Sequence, residues 1–392
     1  MKKTLVAIAA LASVSAFAQV TMSGIMDGNY QAISNLGGQT TNQVGQNGAR
    51  TSTVKLNGTE DLGAGMSANF QFEVQPSFIA GNGNAFSTTQ ATAFTAVSAG
   101  SAINAAQFSS AASAQSGLVG KGMSFIGLKS NDLGEIRFGT INTGTFGAWA
   151  NASGLGTGIG SGYGSGNTFG DITRVESSVA YNSPTISGFN VSLLRGVDNQ
   201  AQYGVVGSTS TALTLRRPEV TDLGIGYTQG PLAVRYGRLQ SKATDNESTA
   251  ANVGATTTTQ ITSAAYDAGV AKFGVLMGSA QNKGSALTTK LDNKWSLLSV
   301  TVPMGANRVI AQTGTVKVNG TNASYVQGQK LTSQGIALER DLSKRTYVYY
   351  RYEKTDFVGA AASSYVVNNA VLANWTNGSV RKINSVGISH AF

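Results

Sequence analysis

Apolar and polar residues alternate along much of this chain with a period of two. In the stretch 67–74, Ala68, Phe70, Phe72 and Val74 fall on one face, and Ser67, Asn69, Gln71 and Glu73 on the other. Phe189, Val191 and Leu193 alternate with Asn190 and Ser192. Val348, Tyr350 and Tyr352 alternate with Tyr347, Tyr349, Arg351 and Glu353. Such a period predicts β-strands with one apolar and one polar face. A soluble sandwich would alternate in the same way, with its polar face toward bulk water, so alternation alone does not choose between architectures.

The connections do. Short segments with hairpin chemistry recur at 60–65, 131–134, 183–188, 229–231, 267–269, 303–307 and 341–344. Longer polar segments lie between them, at about 31–49, 76–121, 141–173, 196–220, 240–261, 280–293, 315–333 and 355–380. Seven short turns alternating with eight long loops require sixteen antiparallel strands, with both ends of the sheet on the short-turn side. The predicted fold is all-β: a 16-stranded antiparallel transmembrane β-barrel. Closure leaves no unpaired edge for lipid to meet. The apolar face is expected to meet lipid and the polar face a lumen wide enough for water.

Composition agrees. Only 12% of residues are charged, Gly numbers 49, and Glu, Lys and Leu are too sparse for long amphipathic helices. Lys2 and Lys3, the short apolar run 5–14 and Ala16-Phe17-Ala18 form an export signal, with cleavage expected before Gln19. The expected domains are therefore a signal peptide, 1–18, and one barrel domain, 19–392. The run 5–14 is too short to cross a bilayer as a helix. No cysteine is present, so no disulfide is available after export. With no cysteine and a single histidine, neither a nucleophile–base pair nor a His/Cys zinc site can be assembled, and no enzymatic activity, cofactor or metal is expected. The glycine-rich 156–164 stretch lacks the Lys-Ser/Thr ending of a phosphate loop and reads as loop. Asp- and Asn-bearing loops show no spaced calcium motif. The formal charge of +9 is not gathered into a basic cluster, which with export argues against nucleic acid.

The chain also resembles a family, the general porins of beta-proteobacterial outer membranes of the Neisseria–Bordetella–Comamonas type. The resemblance rests on VTMSGIMD at 20–27, GTEDLG at 58–63, YNSP at 181–184, VPMGAN at 302–307, LSKRT at 342–346 and VGISHAF at 386–392, in the family's order over nearly the whole length after the leader. It implies homotrimers of 16-stranded barrels in the outer membrane. Each would pass ions and small hydrophilic solutes through its own pore, narrowed by an inward-folded third loop. Here that loop is about 141–173. It carries no charge between Asn142 and Gly170, but holds Phe146, Trp149, Tyr163 and Phe169. Where the family's loop has acids facing a basic wall, this one has only Asp171 near its end, and Thr53, Thr140 and Ala180 stand where the family tends to have arginine. By the same analogy the 76–121 loop reaches over a neighbouring subunit, although its Ala-Ser-Gln composition equally suits a surface loop.

Parity along the strands selects the lumen candidates. Lys55, Lys129, Arg137, Arg174, Arg235, Arg308 and Arg351 are basic; Asp27, Glu73, Glu135, Glu176 and Glu353 are acidic. Arg137 and Arg174 flank the third loop and are the first candidates for its constriction. Each charge has a plainer reading, as a solvated wall residue or one half of a pair such as Arg351 with Glu353 or Arg137 with Glu135. Basic groups are ahead, which predicts a mild anion preference. Tyr347, Tyr350, Tyr352, Trp295 and Trp375 are candidates for interfacial aromatics or for packing in loops and against a neighbour. At the end of the chain, Val386, Ile388, His390 and Phe392 share one face, expected to look to lipid. His390 then sits at a headgroup boundary and is not a ligand. The resemblance implies that this aromatic ending is read by the outer-membrane barrel-insertion machinery. The competing expectations are a substrate-selective pore, suggested by the aromatic third loop, and an exported adhesin or structural β-protein without a pore.

Overall fold

The structure, a computed structural model, describes residues 19–36, 39–76, 78–79, 122–163, 173–196, 219–242, 256–283, 292–319, 330–359, 365–367, 370–372 and 378–392. The strands are β1 (Gln19–Leu36), β2 (Gln39–Gln46), β3 (Thr53–Gly63), β4 (Met66–Val74), β5 (Ser124–Ser130) and β6 (Gly134–Asn142). After one helix, α1 (Gly144–Ala152), come β7 (Arg174–Asn182), β8 (Phe189–Gly196), β9 (Glu219–Gln229), β10 (Leu232–Lys242), β11 (Thr256–Asp267) and β12 (Lys272–Lys283). Then follow β13 (Asp292–Met304), β14 (Asn307–Val318), β15 (Lys330–Asp341), β16 (Thr346–Val358), the small hairpin β17 (Tyr365–Val367) and β18 (Ala370–Leu372), and β19 (Val380–Ala391).

Apart from β17 and β18, these strands form one antiparallel sheet of seventeen. It has sixteen wall positions, because β2 and β3 share one: β2 pairs with the second half of β1, from Gly28 to Leu36, and β3 with the first half, from Gln19 to Ile25. The sheet closes where β19 pairs with β1, placing Ala391 opposite Ile25. Gly24 and Phe392 exchange backbone hydrogen bonds of 2.9 and 3.0 Å at the seam. The 16-stranded closed barrel expected from the turns is thus the fold.

The seven short connections fall where turn chemistry put them. Gly269, for example, has φ +78° and donates its N–H to Asp267 Oδ1 at 2.9 Å, a side-chain-closed turn that few other residues would adopt. The first long loop is a correction. The 31–49 segment is mostly ladder, β1 running to Leu36 and β2 starting at Gln39, so the irregular backbone is displaced to 47–52. The wall is also uneven: β4 to β8 have 7–9 residues, and β11 to β16 have 12–13.

The inner face is not uniformly polar. Ile261, Leu276, Trp295, Leu297 and Val316, on β11 to β14, point inward and bury against Ala148, Trp149 and Ala152 of α1. This interior patch is a small hydrophobic core between wall and loop, and with Leu155 buried against Ile310 and Ala337 it holds the loop in place. Trp295 faces this patch and Tyr347 is buried inward with Ala49 and Tyr349, so neither is an interfacial aromatic; Tyr350 is outward and exposed, and Trp375 lies outside the described residues.

Candidate functional site

The third long connection enters the lumen directly from β6. Thr143 caps α1, its hydroxyl accepting the Phe146 N–H at 3.1 Å. Asp222 of β9 accepts the Gly144 N–H at 2.5 Å, so an acid from the wall meets the positive end of the helix. On its other face α1 buries Trp149 completely, and Phe146, Trp149 and Tyr163 pack on one another with ring centroids 4.8–6.3 Å apart. At about 25 cal/mol per Å² of apolar surface, seating such rings is worth several kcal/mol. The wall is notched to receive the loop. A side chain at Gly237 would meet the backbone of Thr145, and one at Gly335 the backbone of Gly160.

Beyond the helix the loop is tied down by wall side chains. Gln312 accepts from Leu155 N at 3.3 Å and donates to Ser161 O at 2.8 Å. Ser299 donates to Ala152 O at 2.6 Å. Arg351 donates to Leu155 O at 2.9 Å and Ile159 O at 3.3 Å, and Glu353 accepts the Gly160 N–H at 2.7 Å. Glu353 and Arg351 are buried, at 0% and 3% exposure. They are therefore anchors of the loop, and their charges are matched: Arg351 with Glu339 at 2.7 Å, Glu353 with Arg381 at 2.8 Å.

A second inward element was not foreseen. Residues 47–52 leave the wall between β2 and β3 and fold into the lumen, with Asn47 at φ 63°. Asp27 of β1 organises them, its carboxylate accepting the N–H groups of Gly48 at 2.7 Å, Ala49 at 3.3 Å and Arg50 at 3.1 Å, and the Tyr349 hydroxyl at 2.8 Å. This insert touches the third loop: Ile159 N donates to Gly48 O at 2.8 Å, and the Thr51 and Thr157 hydroxyls are 3.2 Å apart. Two segments in direct contact thus fold into the lumen. The insert carries Arg50, which strand parity could not select because it lies in no strand. The one signal in the sequence was Asn47-Gly48, turn chemistry inside an otherwise continuous ladder.

The other candidates divide by location. Lys55 and Glu73 pair at 3.1 Å, and Arg137 and Glu135 at 2.6 Å, with the Arg137 guanidinium 4.4 Å from the centre of the Phe125 ring. Arg308 shares Glu339 with Arg351, at 2.5 Å. Lys129 is exposed beside Glu135 on the neighbouring strand. Arg174 and Glu176 are a correction to the parity argument. A bulge with Ser177 at φ 49° slips the phase of β7 by one residue, so Val175 takes the inward position between them, packed with Ile141 and Leu194. Asp171 lies outside the described residues, as does most of the 76–121 loop. Thr53 and Ala180 are both buried on the inner face, without the charge an arginine would bring.

Two cavities remain beside the loop. One, of about 350 Å³, is lined by Arg50, Lys272, Arg308 and Arg351, with Glu339 the carboxylate among its lining residues. The other, of about 190 Å³, is lined by Arg137 and Arg235, with Asp222. Arg50, Lys272 and Arg235 make no ion pair among the described residues.

These features have parallels. Residues 4–360 match the family described as Gram-negative porin. Outer membrane porin protein 32 of Delftia acidovorans is 27% identical over 407 residues, covering all of both chains. The anion-selective porin from Comamonas acidovorans superposes with a TM-score of 0.67 at 22% identity, over 96% of this chain and 100% of that one. The trimer form of OmpT from Vibrio cholerae does so with a TM-score of 0.60 at 15% identity, over 96% and 99%. At these identities the two structural likenesses speak to fold. With a closed barrel, an inward loop and a family match over most of its length, the chain belongs to the Gram-negative porins, the channel-forming barrels of the outer membrane.

Proposed function

We propose that this porin passes small hydrophilic solutes and ions by passive diffusion through the lumen beside its third loop and the 47–52 insert, with a mild preference for anions. The observation that carries this reading is the charge around the two cavities. After pairing, Arg50, Lys272 and Arg235 remain as cations, and the nearby carboxylates are engaged by arginines or by the backbone of α1. Unpaired cations at a narrow aqueous passage concentrate anions there. The anion selectivity of the Comamonas porin agrees with this reading. The preference arises from the unpaired residues of the wall and insert, since the third loop itself is uncharged over most of its length.

The test is the zero-current potential of single channels in a KCl gradient. The expected sign is that of chloride preference, weakening from 0.1 to 1 M salt as the Debye length falls from about 10 to 3 Å. Clear cation selectivity would contradict it. The substrate-selective reading loses its motive, since Phe146, Trp149 and Tyr163 are engaged in packing the loop.

The same reading includes a homotrimer and an exported chain from which 1–18 are removed before Gln19, inserted by the outer-membrane assembly machinery. The short wall of β4 to β8 supports the trimer: strands of 7–9 residues are at or below the roughly 9–11 needed to cross the hydrocarbon, so a neighbouring barrel would cover what lipid would meet poorly. Terminal sequencing of the purified protein checks the cleavage; a retained leader would refute it.

A further inference from the structure

The outer surface of the tall-walled sector carries a feature unrelated to the pore. Lys294, Lys317 and Lys330 stand directly opposite one another on β13, β14 and β15. Their chain neighbours Trp295, Val316 and Leu331 are buried inward, so all three lysines point outward, and all are exposed. On the next strands Lys354 faces Lys382, outward for the same reason: Glu353 and Arg381 point in. Each lies toward the long-loop end of its strand.

Like charges opposite one another on neighbouring strands destabilise a sheet. Here the imbalance is little relieved within the protein. Among the described residues the acids on this face are Asp292, which accepts from Gln281 Nε2 at 3.2 Å, and Asp356, paired with Lys354 at 2.9 Å. Lys294, Lys317 and Lys330 make no ion pair among the described residues.

The surface below them is layered. Next along the strands come the hydroxyls Ser296, Thr315 and Thr332, in register with one another, then Leu298 beside Thr313 and Gln334, and beyond them apolar side chains, Ile336 and Leu338 among them. From Lys294 to Leu298 is about 13 Å along the strand. A small dissolved anion has no use for that sequence of layers. A lipid presents it in matching order: phosphate, polar headgroup, acyl chain.

We propose that Lys294, Lys317 and Lys330 bind the phosphates of a membrane lipid whose headgroup lies over the hydroxyl layer, with Lys382 further along the neighbouring strands, and whose chains lie on the apolar band. The proposal rests on the outer-membrane location and is independent of ion selectivity.

The test uses the full barrel in detergent, with diphosphorylated lipid A, its dephosphorylated form, and inorganic phosphate as probes, and native mass spectrometry to count bound lipid. Lys294→Gln/Lys317→Gln/Lys330→Gln is expected to bind the phosphorylated lipid about tenfold more weakly than the parent. Lys344→Gln/Arg345→Gln, in a short turn at the opposite end, is expected to bind as the parent does. Single-channel conductance of the triple variant should be unchanged, which reports that it has folded. If it does not fold, Lys317→Gln, at the centre of the row, takes its place with a loss of about threefold. Equal binding by parent and folded variant would overturn the proposal, as would equal binding of the dephosphorylated lipid. Full competition by millimolar inorganic phosphate would also overturn it, by showing a site for free anions.

Discussion

At the scale of single residues, charges of similar appearance in the sequence do different work. Arg351 and Glu353 hold backbone groups of the third loop and are themselves paired, so they contribute structure more than field. Arg50 faces the larger cavity without an ion pair. A unit charge about 8 Å from a passing ion in water is worth roughly 0.5 kcal/mol, or about a twofold change in local concentration. The same charge lowers the cation as much as it raises the anion, so Arg50→Ala is expected to lower the anion-to-cation permeability ratio about fourfold with unchanged heat stability, as read from reversal potentials and unfolding by gel shift. An unchanged ratio would remove Arg50 from the selectivity mechanism. Asp27→Ala takes the acceptor from the insert that positions Arg50 and a negative charge from beside it, so its two effects on the ratio oppose one another. It should also cost about 1–3 kcal/mol, the penalty of leaving buried N–H groups unpaired.

At the scale of elements, α1 and the wall are separable. The strand ladder closes without the helix, and the helix sits in the lumen by its cap, its aromatic packing and the notches in the wall. Thr143→Ala is expected to weaken the loop by about 1 kcal/mol and leave the barrel's own unfolding unchanged. Single-channel recordings should show added open-state noise; quiet recordings identical to the parent would refute the capping argument. Gly335→Val places a branched side chain against the Gly160 backbone, so the loop must shift. The expected result is a change in conductance in a barrel that still resists heat.

At the scale of the whole molecule, closure and the proposed trimer come together. Phe392 and Gly24 exchange backbone hydrogen bonds at the seam, and the Phe392 side chain lies on the outer face with His390, whose Nδ1 is 2.8 Å from the Thr346 hydroxyl. Deleting Phe392 is expected to reduce assembled protein in cells far more than His390→Ala; equal amounts of the two would overturn the assigned roles. Ile126→Glu with Phe138→Glu places two charges on the short-walled sector. It should convert trimers to monomers on native gels if that sector is the subunit interface. Trimers of normal stability would move the interface elsewhere.

The sequence by itself determined the strands, the alternation of short turns with long loops, their number and hence a closed barrel, because period two and turn chemistry are local properties. It also placed Val386, Ile388, His390 and Phe392 on one face correctly, since no bulge interrupts β19. Where a single residue was inserted, at Ser177, the phase slipped and parity misplaced Arg174 and Glu176. Which inner-face charges are paired, which hold the third loop, and that 47–52 turns inward to present Arg50 were decided only by the tertiary structure. Those outcomes depend on contacts between residues far apart in the chain, such as Asp27 with Tyr349 or Arg351 with Leu155, and on the apolar patch that seats α1. Local patterning carries no record of them.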